Sequence, residues 1–126
     1  MLQVGIRGTG EAVVTEALTA RAMGSGELPV YATPAMLLLV EETAWKSAAP
    51  ELEPGQSTVG TKLEFAHLAA TPLGRKVRCE TELVEIDRRR LTFSAAVYDE
   101  SGKIGEGTHE RFIVDKERFL AKADAR

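Results

Sequence analysis

The chain has 126 residues, 44% hydrophobic and 28% charged, with a formal net charge of −3. A chain of this length forms one domain that can bury about two-thirds of its unfolded surface without covalent staples. No apolar run approaches the roughly 18 residues that span a bilayer, no signal-peptide pattern is expected over Met1 to Arg7, and the acidic balance argues against a nucleic-acid surface.

The first 18 residues carry Gly5, Gly8 and Gly10, and a short strand is predicted only around Ala12 to Val14. Residues 19–28, TARAMGSGEL, read as a loop or a single helical turn. The stretch from Pro29 to Pro50 holds the principal helix, with Thr33 expected at the N-cap, Pro34 at the first helical position and Met36 to Val40 as an unbroken apolar run. At about four turns and roughly 22 Å, apolar nearly all round in its first half, this helix is expected to be wrapped by the rest of the chain.

Two carboxylates, Glu41 and Glu42, lie in it. Glu42 stands four residues before Lys46, which favours a solvated ion pair. Glu41 stacks with Leu37, Ala44 and Ala48, and a carboxylate on a buried stripe must be hydrogen-bonded, paired or protonated. That makes Glu41 the first functional candidate; the alternative is that both acids lie on the wet side of a half-exposed helix.

After Pro50, Pro54 and Gly55 the period changes from 3.6 to 2. Thr58 to Leu68 places Val59, Thr61, Leu63, Phe65 and His67 on one face, so His67 is expected on the apolar side. Lys76 to Ile86 sets Val77, Cys79, Thr81 and Leu83 against Arg78, Glu80 and Glu82, with a register change near Val84. Asp87 to Arg90 reverses the chain; its three arginines either meet phosphates or are simply solvated. Leu91 to Tyr98 and Ile104 to Val114 follow, joined by a hairpin over Asp99 to Lys103. Lys116 to Arg126 reads as a short charged helix.

One long helix followed by an antiparallel meander with one apolar face per strand is an α+β fold in which the sheet curls around the helix. Cys79 excludes an internal disulfide and cannot hold a metal alone, so a reducing cytoplasm is expected and no metal or cofactor is called for. Gly105 and Gly107 are read as letting the sheet pass close to the helix. His109 is left unassigned.

Specific residues narrow the fold. Pro29-Val30-Tyr31-Ala32-Thr33, the paired acids eight and nine residues later, Val59-Gly60-Thr61, His67 through Gly74, and Ile104 through Arg111 together resemble the fluoroacetyl-CoA thioesterase branch of the hotdog thioesterases, over roughly residues 10 to 120. The resemblance implies a hotdog fold, a catalytic trio of Thr33, Glu41 and His67, contact of Gly60 and Arg111 with an acyl-CoA thioester, and a homodimer joined edge to edge. It also implies hydrolysis of a small or medium acyl-CoA, with CoA as part of the substrate and no membrane partner. A non-catalytic acyl-CoA sensor and a hotdog enoyl-CoA hydratase are the rival readings. Residues 19–28 carry no aromatic residue where the fluoroacetyl-CoA enzymes have a phenylalanine-rich lid, so the preference for that substrate is not implied.

Overall fold

The computed structural model describes all 126 residues. Five antiparallel strands, β1 (Arg7–Val13), β2 (Gln56–His67), β3 (Lys76–Asp87), β4 (Arg90–Asp99) and β5 (Gly102–Asp115), form one sheet in the order β1-β3-β4-β5-β2. The sheet curls around a helix, α2 (Thr33–Ala48), preceded by a single turn, α1 (Ala20–Met23), and followed at the C-terminus by α3 (Lys116–Asp124). This is the expected α+β hotdog arrangement.

The helix begins at Thr33 itself, so Ala32 is the N-cap and offers no side-chain cap. The Thr33 hydroxyl is thereby free for another partner. Nor is α2 wrapped all round. Met36, Val40 and Ala44 are fully buried, and burial of a side chain the size of Met or Val contributes roughly 1.5–3 kcal/mol. On the far side Pro34, Leu38, Glu41 and Trp45 form one stripe at helical spacing, with Leu38 48% and Trp45 40% exposed.

Strand β1 is longer than predicted because its residues do not alternate in hydrophobicity; glycine takes the inward positions instead. A Cβ on Gly10 would collide with Thr43 Oγ1, and one on Gly8 would stand 2.9 Å from the Thr43 carbonyl oxygen. The missing side chains let α2 press against β1, and Thr43 turns its hydroxyl back to the Leu39 carbonyl at 2.7 Å.

Strand β2 pairs Gly60 with Arg111 but Lys62 with Glu110, so Thr61 is an extra residue, a β-bulge. The inward set therefore changes parity: Thr58 and Gly60 before the bulge, Leu63, Phe65 and His67 after it. The expected inward placement of Val59 and Thr61 is corrected by this register shift. A second shift, between Leu83 and Glu85, falls where the register change near Val84 was expected.

Gly107 lies opposite Phe65 where β5 pairs with β2, and a Cβ there would run into the Glu64 carbonyl and stand 2.7 Å from Phe65 Cα. Backbone has to move to admit it. Gly107→Ala is expected to lower stability by about 3 kcal/mol, at the upper end of overpacking costs, read from urea unfolding. Gly26→Ala, whose Cβ meets only Ala20 Cβ at 3.4 Å, should change it by under about 0.5 kcal/mol.

Candidate active site

Arg111 is the anchor. Its side chain is only 7% exposed, and a guanidinium there must have its donors satisfied. Nε donates to Thr58 Oγ1 at 2.8 Å, Nη2 to the Thr58 carbonyl at 3.0 Å, and Nη1 reaches both His109 Nε2 at 3.1 Å and Glu41 Oε2 at 3.4 Å. Both faces of the bulge thus hold it.

The contacts also settle the state of His109. An arginine can only donate, so His109 Nε2 accepts, and Nδ1 carries the hydrogen that it donates to the Lys62 carbonyl at 2.8 Å. Burial lowers the His109 pKa from its ordinary value; the nearby Arg111 charge lowers it too, while the bond to Lys62 and the charge of Glu41 act the other way. His109 is a neutral brace joining the two sides of the bulge. Sequence reasoning left it unassigned, although its shared parity with Arg111 on β5 was the available signal.

Glu41 sits beside this brace, in the exposed stripe of α2 rather than on a buried one. Its side chain is 40% exposed, and a Cβ on Gly60 would lie 2.5 Å from Glu41 Oε2. Glycine at position 60 is therefore what admits the carboxylate to the strand, and Arg111 Nη1 and His109 Cε1 close round the same spot, each 3.2 Å from where a Cβ would stand. Glu42 turns the other way and pairs with Lys46 at 3.4 Å, as expected.

Thr33 and His67 form a second group. The Thr33 hydroxyl and His67 Nδ1 share a 2.8 Å hydrogen bond, and His67 Nε2 is buried with no partner in the chain. Thr33 lies eight residues before Glu41, roughly 12 Å along the helix axis. The candidate residues of one chain thus fall into two groups, Glu41-Gly60-Arg111 and Thr33-His67. Cys79 belongs to neither: it is fully buried, its thiol pushed up to about 11 by that burial.

Comparison with known proteins agrees with this fold. Residues 14–117 match the family model of the fluoroacetyl-CoA-specific thioesterase. The fluoroacetyl-CoA thioesterase of Streptantibioticus cattleyicolor is 38% identical over 96% of this chain and 91% of its own. Among solved structures, a mutant of the fluoroacetyl-CoA thioesterase in complex with acetyl-CoA superposes with a TM-score of 0.93 at 35% identity, covering 98% of both chains. A thioesterase superfamily member from Thermus thermophilus gives 0.92 at 31% identity, covering 99% of this chain and 93% of that one.

The buried neutral histidine has a consequence for stability. The unfolded chain protonates this ring more readily than the folded one, so His109 costs nothing above the unfolded value of about 6.5. Below it, stability falls as pH falls towards the lowered folded value. Urea unfolding at about pH 7.5 and about pH 5.5 should show a smaller acid loss in His109→Gln than in the wild type; equal losses would assign the effect to another group.

Proposed function

The chain belongs to the fluoroacetyl-CoA-specific thioesterase family, and from that premise we propose that it hydrolyses a small or medium acyl-CoA to the free acid and CoA. The observation that carries this reading is a carboxylate, Glu41, held 3.4 Å from a buried guanidinium and against a strand that glycine leaves bare.

Thioester hydrolysis needs a nucleophile or base, a proton carrier, and donors aimed at the oxyanion of the tetrahedral intermediate. Glu41 supplies the carboxylate, attacking the acyl carbon or taking the proton of the attacking water. The Gly60 N–H serves the oxyanion, a contribution of roughly 3–4 kcal/mol to lowering the barrier, and Arg111 adds positive charge at the same place. His67, with one ring nitrogen on the Thr33 hydroxyl and the other unpartnered, carries the proton.

A homodimer supports this division of labour. Strand β2 is 12 residues long and forms an edge of the sheet, and such an edge invites pairing with another strand. Antiparallel pairing of β2 with its own copy, about a two-fold axis between Leu63 and Glu64, sets Gly60 opposite the partner's His67. The same approach covers the Leu38 and Trp45 stripe. We place the enzyme in the cytoplasm, where acyl-CoA substrates and a reduced Cys79 are both at home; no helix is long and apolar enough to cross a membrane.

Thiol release from a panel of acyl-CoAs tests the reading. Glu41→Gln is expected to lower kcat by about 100-fold or more, and Glu42→Gln to stay within about twofold of the wild type. Equal behaviour of the two variants would contradict the assignment of Glu41. CoA bound without turnover, and insensitive to Glu41→Ala, would favour an acyl-CoA sensor.

A further inference from the structure

At the end of the sheet the turn between β3 and β4 carries Arg88, Arg89 and Arg90 in succession, on a chain whose net charge is −3. With Asp87 and Phe112 they line a surface cleft of about 400 Å3. The charges in it are not equally engaged. Arg90 is tied to Asp87 at 3.3 Å and to Glu85 at 3.6 Å. Arg89 spends one donor on the Ile113 carbonyl at 3.2 Å. Arg88 is 94% exposed, its nearest acid Asp87 at 3.9 Å. Two guanidinium groups thus keep free donors over a cleft whose remaining wall is an aromatic ring, Phe112, itself 41% exposed.

The backbone adds a second observation. Arg88 is the one non-glycine residue with a positive φ, 57°. Two-residue hairpin turns favour glycine or asparagine at such a position, and an arginine there is held at a cost in backbone energy. Local strain of this kind points to a role for the side chain.

Resting on the acyl-CoA reading above, we propose that this cleft seats the nucleotide end of the substrate, a 3′-phosphorylated adenosine diphosphate. Guanidinium forks suit phosphate oxygens, and the face of Phe112 suits stacking of a purine ring. The cleft is joined to the reacting end of the site through one strand. Ile113, whose carbonyl Arg89 clasps, lies two residues beyond Arg111, ~7 Å along β5; Phe112 between them faces the outer side of the sheet, so the pantetheine arm rounds the sheet's end to reach Gly60 on the concave side.

The test uses the acyl-CoA with the highest turnover in the panel, the matching acyl-N-acetylcysteamine thioester, which lacks the nucleotide, and adenosine 3′,5′-bisphosphate as a binding probe. In the full-length Arg88→Gln/Arg89→Gln variant the ratio of kcat/KM for the CoA thioester to that for the truncated one is expected to fall about tenfold, through KM, with the wild-type ratio itself shrinking as salt is raised. Arg88→Gly should lower the ratio in the same direction while raising Tm by roughly 1–4 °C, because glycine relieves the positive φ. An unchanged ratio in both variants overturns the proposal. If the wild type turns over neither thioester, the thioesterase reading fails separately, and calorimetry with adenosine 3′,5′-bisphosphate decides: binding that the double substitution abolishes supports the cleft, and no binding, or binding unaffected by it, overturns it.

Discussion

Between Gly60 and Lys62 strand β2 carries one residue more than β5 can oppose, and that surplus governs which side chains share the concave face of the sheet. Gly60 and His67 have opposite parity along the chain; on a regular strand they would face opposite sides. The bulge at Thr61 puts them on the same side. It also opens the Lys62 carbonyl to His109 and sets Thr58 to grip Arg111. Without the extra residue the glycine that admits Glu41 would look away from the helix.

Burying a guanidinium is costly, and the chain offsets that cost locally. Four acceptors surround Arg111, two of them from Thr58, one from neutral His109 and one from Glu41. The arrangement is asymmetric in its consequence. Removing any acceptor leaves a buried donor exposed to an apolar setting, whereas the Glu41 carboxylate retains access to solvent and substrate through its exposed side. A fixed charge beside an accessible carboxylate is a suitable base for acyl chemistry. Its counterpart, Thr33 with His67, stands two helical turns away, which is why the open edge of β2 and the uncovered stripe of α2 matter as much as any buried contact.

Much of this was legible in the residues. The period change after Gly55 marks the passage from helix to sheet, the strands β3, β4 and β5 follow their alternation closely, and Pro34 followed by Met36 to Val40 marks the long helix. Its neighbours on the helix single out Glu41, although it lies at the rim of the sheet and not beneath it. What stayed hidden is what pairing decides. Strand β1 has glycine where a hydrophobic residue would signal an inward face, because contact with α2 demands small residues there. The bulge has no periodic signature beyond a glycine inside a strand, so alternation alone turns Val59 and Thr61 to the wrong face. Thr33 looked like a cap because capping is the local use of threonine; its partner, His67, is 34 residues away.

Whether two chains complete each site is open to a test by mixed dimers. Refolding an equimolar mixture of Glu41→Gln and His67→Ala, each expected to lose about 100-fold or more of its activity alone, tests it directly. If Glu41 of one subunit works with the partner's His67, each mixed dimer holds one intact site, and random mixing restores about a quarter of wild-type activity. Recovery of none, with mixed dimers shown to form, would mean that the two groups act within one chain, and the account of a shared site would be wrong.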